Sequence, residues 1–209
     1  TGAVPGSTGL GQAQLLLAGN RALILGRSWS ATDNPAGVAR QTDIAVPRGD
    51  SATRILLVDL GSGTAPGGAA PRLVSDFTVD GDLVDGRQVD STARVVIRSA
   101  PRIAFPYREG GSDSDRIAAN RQVIDDAPLA DWLPRYVTET DGRRITGQVG
   151  CGSVSRPARY SGTSMITVFS FDLRGATLGN GTPVSVVADG DTVYSTGTSL
   201  YVTNDARSR

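Results

Sequence analysis

Ser185-Val186-Val187-Ala188-Asp189-Gly190-Asp191-Thr192-Val193-Tyr194 is a short apolar run, a turn of Gly flanked by Asp, and a second apolar run. The same order returns in Asp76-Phe77-Thr78-Val79-Asp80-Gly81-Asp82-Leu83-Val84 and in Leu15-Leu16-Leu17-Ala18-Gly19-Asn20-Arg21-Ala22-Leu23-Ile24. Gly, Asn and Asp accept the positive φ that tight turns demand, so each segment reads as two strands joined or closely followed by a tight turn. These segments decide architecture and carry no chemistry of their own.

Working outward, strands are expected over Gln14–Ala18 and Ala22–Gly26, then over Arg54–Leu60 and Arg72–Val79. The stretch 28–52 between the two pairs reads as loop, punctuated by Asp33-Asn34-Pro35 and Pro47-Arg48-Gly49-Asp50, and Gly61–Pro71 reads as a surface loop. A second set follows at Asp82–Val89, Thr92–Arg98, Met165–Leu173 and Val184–Ala188, and a third begins at Thr192–Ser195 and Ser199–Thr203. Leu57-Val58-Asp59-Leu60 and Ser170-Phe171-Asp172-Leu173 close equivalent strands of the first two sets. Returning four-strand units of this kind are the sign of β-propeller blades or a related repeat fold. The expected organisation is a flexible lead at 1–12, a unit at 13–79, a second unit at 80–188 and the start of a third at 189–209.

The second unit is interrupted by an insert at about 99–162 that shows no clear strand pattern. Ser114–Asp126 has helical character with Asp113 or Ser114 as its cap, and Pro128–Tyr136 suits a second short turn. A connection of this length is either a small subdomain or a functional loop.

Composition narrows function by exclusion. The 209 residues carry 21 basic and 21 acidic side chains, with neither Lys nor His, and only Glu109 and Glu139 are Glu. The bias toward Asp, Gly and Thr argues for strands and turns over helix surfaces. The zero net charge and the lack of an Arg cluster leave no footprint for nucleic acid. No apolar run approaches the length of a membrane-spanning helix. Ser-His-Asp and Cys-His arrangements, His-ligated metals, Schiff bases and Ser-Lys dyads all need side chains this sequence does not contain. The opening Thr1-Gly2-Ala3-Val4-Pro5-Gly6-Ser7-Thr8-Gly9 reads as a linker at a mature or trimmed N-terminus, in keeping with a removed secretion signal.

Asp80-Gly81-Asp82-Leu83-Val84-Asp85-Gly86-Arg87, Val95-Val96-Ile97-Arg98-Ser99, the Cys151–Pro157 and Ile166–Leu173 stretches, and Gly190-Asp191-Thr192-Val193-Tyr194-Ser195 with Leu200-Tyr201-Val202 together resemble a family of secreted bacterial and archaeal proteins. That family carries a β-propeller domain distantly related to WD40 repeats, and the resemblance runs from about residue 13 to 203. It implies an extracytoplasmic propeller, secreted or in the cell envelope, and brings no catalytic residues. Members are much longer, and two units with part of a third cannot close a ring. The expectation is therefore a fragment of a longer chain, or a ring completed by other copies or a protein partner.

The remaining chemistry is that of carboxylates. The Asp80, Asp82 and Asp85 group, Asp113 with Asp115, Asp125 with Asp126, and Asp189 with Asp191 are the pairs that could act as acid and base on a glycoside. Asp80, Asp82, Asp189 and Asp191 are also the candidate Ca²⁺ ligands, although a tight turn wants Asp at those places anyway and the twelve-residue EF-hand spacing is missing. No other cofactor is implied. Cys151, the single cysteine, reads as a small buried thiol, or as one half of a pair with a Cys elsewhere in a longer chain. Phe105, Tyr107, Trp132, Tyr136 and Tyr160 gather in or beside the insert, where they serve either as anchors of a recognition surface or as a mini-core. The functional expectation is an extracytoplasmic binding or scaffold module without catalysis of its own. The alternatives are a carboxylate-dependent polysaccharide hydrolase and a subunit of a larger assembly.

Overall fold

A computed structural model describes residues 10–29, 51–61, 69–106 and 110–203. The strands are β1 (Leu10–Ala18), β2 (Arg21–Trp29), β3 (Ser51–Asp59), β4 (Arg72–Asp80), β5 (Asp82–Val89) and β6 (Thr92–Ser99). The helices α1 (Asp113–Asp126) and α2 (Leu129–Trp132) come next. They are followed by β7 (Arg135–Thr140), β8 (Arg143–Gln148), β9 (Val154–Ser155), β10 (Met165–Asp172), β11 (Val184–Val187), β12 (Thr192–Ser195) and β13 (Leu200–Thr203).

These strands make three successive sheets. The first has the order β1-β2-β3-β4-β7-β8, the second β5-β6-β10-β11-β9, and the third is the β12-β13 hairpin. The units β1–β4 and β5-β6-β10-β11 are antiparallel four-stranded meanders, and the hairpin is the opening of another. The fold is all-β, built of propeller-like blades, two complete and one begun. Most of the loop expected at 28–52, and 62–68 of the loop at 61–71, lie outside the described residues.

Side-chain alternation explains the layering, because successive residues of a strand face opposite sides of its sheet. Leu23 and Leu25 of β2, Ile55 and Leu57 of β3, and Phe77 and Val79 of β4 face the second sheet. Ala93, Val95 and Ile97 of β6 and Phe169 and Phe171 of β10 meet them in one core. Phe77 is its hub, with ring centroids 5.4 Å from Phe169 and 5.2 Å from Phe171. Each such side chain, fully withdrawn from water, contributes about 1.5–3 kcal/mol of transfer free energy. The opposite face of the second sheet gives Val84, Val96, Ile166 and Val168 to a smaller core with Val193, Leu200 and Val202 of the hairpin. In β3 the run Ile55–Val58 is buried on both faces, Ile55 and Leu57 in the main core and Leu56 and Val58 in a small cluster with Ala22.

Two of the three diagnostic segments are crossings between sheets, and only Gly19-Asn20 closes a hairpin within one sheet. Gly81 takes the chain from β4 to β5, and Gly190 stands between β11 and β12 at the equivalent place. Gly81 has φ +112, and a Cβ there would sit 2.6 Å from the Arg98 carbonyl oxygen. A Cβ on Gly190 would sit 2.6 Å from a methyl of Val202. Hairpins and crossings both need a sharp reversal, so the local pattern is the same and long-range packing chooses the partner strand.

The insert contains strands that the sequence reading did not find. β7 pairs with the free edge of β4, β8 pairs with β7, and β9 lies parallel to β11. An insert that leaves the second sheet after β6 therefore widens the first sheet before returning to the second. These strands escaped notice because β8, Arg-Arg-Ile-Thr-Gly-Gln, is almost entirely exposed and carries no apolar alternation. The β7–β8 hairpin turns at Asp141 and Gly142, at φ +50 and +75. Helix α1 is where expected, but its cap is Ser112 and not Asp113 or Ser114. Ser112 Oγ accepts from Asp115 N at 3.2 Å, and Asp115 Oδ2 accepts from Ser112 N at 3.0 Å. No residue of α1 is buried.

Candidate functional site

The first strand of each sheet lies against the first strand of the next. Gln14 of β1 spans to Gly86 of β5, accepting from Gly86 N through Oε1 at 2.9 Å and donating to Gly86 O through Nε2 at 2.8 Å. Gln88 Nε2 donates to Leu17 O at 2.7 Å, and Arg87 Nη2 donates to Val193 O at 3.4 Å in β12. Polar side chains thus stitch β1 to β5 and β5 to β12, while apolar ones fill the layers beside them.

Asp80, ending β4, fixes the insert. Its Oδ2 accepts from Arg102 Nη1 at 2.9 Å, Arg135 N at 3.0 Å and Arg135 Nε at 3.2 Å. Arg102 also donates to the carbonyls of Leu133 and Ala130, and Gln148 Nε2 reaches the same two at 3.0 and 2.7 Å. Asp189 holds the equivalent place at the next crossing. Its Oδ1 accepts from Ser164 N at 3.1 Å, and its own N–H donates to Ser161 O at 2.8 Å. The first Asp of each Asp-Gly-Asp segment therefore ties down one end of the long insert.

Of the other carboxylates singled out from sequence, all but Asp125 of α1 are also engaged. Asp82 lies 3.9 Å from Arg27, Asp85 accepts from Gly86 N at 2.8 Å and pairs with Arg87 at 2.6 Å, and Asp191 accepts from Thr192 Oγ1 at 3.0 Å. Asp113 pairs with Arg116, Asp115 caps α1, and Asp126 accepts from Gln122 Nε2 at 2.9 Å. Among the described residues no three or more Asp, Glu or Cys side chains gather in an arrangement that could hold a metal ion.

The aromatic set divides. Tyr136 stacks on Phe77 at 5.2 Å and lies over Gly147, so it belongs to the core edge, and Trp132 is half-buried. Phe105 is exposed and Tyr160 is 80% exposed, whereas Tyr107 lies outside the described residues. Between Pro106 and α1 runs an open groove of about 470 Å³, lined by Asp115, Ala118, Ala119, Gln122 and Val123 as well as the proline. Cys151, expected to be buried, is exposed in a short 3₁₀ turn, Cys151–Ser153. Its neighbours Gly150 and Gly152 offer no side chain to cover it.

Three features were missed from sequence. Arg54 and Asp76 form a bidentate pair on the first sheet's outer face, with Nε 3.1 and 2.9 Å from the two carboxylate oxygens. The Asp76 hydrogen bond raises the Arg54 pKa against the opposing effect of burial, and the charges of Asp76 and Glu139 add to it. Leu15 and Leu17 of β1, and Tyr194 and Tyr201 of the hairpin, are exposed on the two outward faces of the stack. The alternation Val193 in, Tyr194 out was readable as an aromatic placed where a polar residue is the norm.

A sequence model described as beta propeller domain matches residues 4–209. The chain belongs to the beta propeller domain family. Neither the curated proteins nor the solved structures contain a match to it. Membership accounts for the succession of sheets, since a propeller is assembled from blades whose faces pack on their neighbours. Among the described residues of this propeller chain, no helix is long and apolar enough to cross a membrane.

Proposed function

We propose that this propeller chain is an extracytoplasmic interaction module, a rigid scaffold that presents the long insert to a protein or ligand and performs no catalysis of its own. The observation that carries this reading is the use to which the acidic side chains are put. Asp80 and Asp189 anchor the insert, Asp85 and Asp76 pair with arginines along strands, and Asp113 and Asp115 shape the start of α1. Carboxylates held in this way order a scaffold, whereas a glycoside hydrolase needs two of them facing a cleft at roughly 5–10 Å. The anchored insert carries Tyr160, a large and open aromatic of the kind that anchors recognition surfaces. The extracytoplasmic placement rests on the resemblance to secreted propellers.

A photo-crosslinking residue at position 160, introduced into the protein in its native cells, tests the reading. A discrete adduct of constant mass, found with protein outside the cytoplasmic fraction, is the expected result. Cleavage of polysaccharides by the purified chain, abolished by Asp→Asn substitution on the insert, is the result that overturns it.

A further inference from the structure

We propose that Asn180, in the loop between β10 and β11, is a site of N-linked glycosylation, the added group being an oligosaccharide taken from a lipid carrier. The proposal rests on the extracytoplasmic reading above, since such acceptor sites belong to secreted chains.

Asn180-Gly181-Thr182 is the Asn-X-Ser/Thr acceptor pattern, with a residue other than Pro in the middle. No other Asn in the 209 residues is followed by Ser or Thr at the second place. Three residues can match by chance, so the setting decides.

That setting is a surface loop pinned to the core from beneath. Leu173 and Leu178 are buried in the main cluster, and Gly181 lies against its rings. A Cβ on Gly181 would stand 2.6 Å from a ring carbon of Phe171, and the Gly181 carbonyl accepts from Ser170 N at 2.6 Å. On either side of this anchor Asn180 and Thr182 are exposed. The loop stands at the strand ends of the second sheet, whereas successive sheets pack by their faces, so that packing does not cover it. It also lies at the opposite end of β10 and β11 from the crossing at Gly190, where Asp189 ties down the insert. A glycan here leaves the insert clear.

Asn180 Oδ1 accepts from Thr182 N at 3.1 Å. The bond turns the carboxamide oxygen toward the backbone, and among the described residues Nδ2 has no partner.

Thr182 gives an independent observation. It is β-branched, it precedes Pro183, and its φ is +41. A β-branched residue at positive φ is strained, and Gly or Asn would hold the same backbone more easily. Its hydroxyl has no partner among the described residues. Neither the branch nor the hydroxyl therefore serves the fold, whereas the acceptor pattern requires a hydroxyl at this place.

In the transfer, Asn180 Nδ2 forms a bond to the anomeric carbon of the sugar. The bond from that carbon to the phosphate oxygen of the lipid-linked donor breaks, and the lipid phosphate leaves with the electron pair. One amide proton passes to a base of the transferase, and nothing is oxidised or reduced.

Mass spectrometry of the tryptic peptide 175–207, from protein purified out of fractionated native cells, tests this. The peptide is expected to carry a discrete saccharide mass that Asn180→Gln and Thr182→Ala remove and Thr182→Ser keeps. Thr182→Asn is expected to remove it as well. Compared without glycan, that variant should melt about 2 °C above the unaltered chain, because strain is relieved. A Thr182→Asn chain that melts lower gives the threonine a structural role and overturns the proposal. An extracytoplasmic protein whose peptide is unmodified, or carries only the mass change of deamidation, overturns the proposal alone. An unmodified protein confined to the cytoplasm overturns the extracytoplasmic reading with it.

Discussion

The Gln14 carboxamide satisfies both backbone groups of Gly86, one sheet away, accepting at 2.9 Å and donating at 2.8 Å. A side chain here replaces a neighbouring strand and sets the register of β1 against β5. Gln14→Leu keeps the bulk and removes both bonds. We expect a loss of about 1–2 kcal/mol in urea unfolding, with the slope unchanged. Gln14→Glu should cost at least as much, because a carboxylate would face the Gly86 carbonyl.

Gly86 is there because β5 approaches β2 too closely for a side chain. A Cβ at this position would penetrate the Leu25 Cδ1 methyl, which is itself fully buried. Gly86→Ala should cost about 1–3 kcal/mol through overpacking. Leu25→Ala alone should cost about 2–5 kcal/mol through its cavity. The double variant should be more stable than the sum of the two losses by at least about 0.5 kcal/mol, and simple additivity would sink this account of the glycine.

Asp80 organises the insert and leaves the central core alone. In Asp80→Asn, hydrogen exchange at Asp131 and Arg135 should quicken about fivefold, equivalent to roughly 1 kcal/mol for a partly exposed pair. Exchange at Leu23 and Ile55, deep in the first sheet, should not change. Added salt should narrow the difference between the two proteins, as it screens the arginine contacts.

The pH response follows from composition and from Arg54. Histidine is the side chain whose ordinary pKa lies between pH 5 and 8, and this chain contains none. Arg54 has its pKa raised in the folded state, so its pairing with Asp76 is fully present below the ordinary arginine value. That stability is lost only as pH rises through the raised value, far above neutrality. The melting midpoint should therefore move by less than about 2 °C between pH 6 and 8. Arg54→Met, which leaves Asp76 without its partner, should lower stability by about 1.5–3 kcal/mol across that range.

The blades were legible because their strands are apolar and their turns are spelled in Gly, Asn and Asp. β6 with its clean alternation and β10 with two phenylalanines fall where the sequence placed them. What the sequence could not supply was the partner of each strand. The Asp-Gly-Asp segments look like hairpins and act as crossings, and β7 and β8 join a sheet that their own chain neighbours do not belong to. The polar character of β8 hid it, because a strand held by backbone bonds at an exposed edge needs no apolar face. The carboxylates were found, but not their arginine and backbone partners, which come from residues up to 55 positions away, as Arg135 does for Asp80. Tyr136 and Tyr160 look alike in sequence, and only the position of Phe77 sends one to the core and leaves the other open.

Three sheets stack in chain order, with Gly81 and Gly190 at the two crossings. Nuclear Overhauser contacts on a methyl-labelled sample test this arrangement most directly. The stack predicts a strong contact between a Leu25 δ methyl and the Gly86 α protons, across the first layer boundary. It also predicts contacts from Val202 γ and Ile166 δ methyls to the Gly190 α protons, at the second. Intact contacts within each sheet, with both of these sets missing, would contradict the stack.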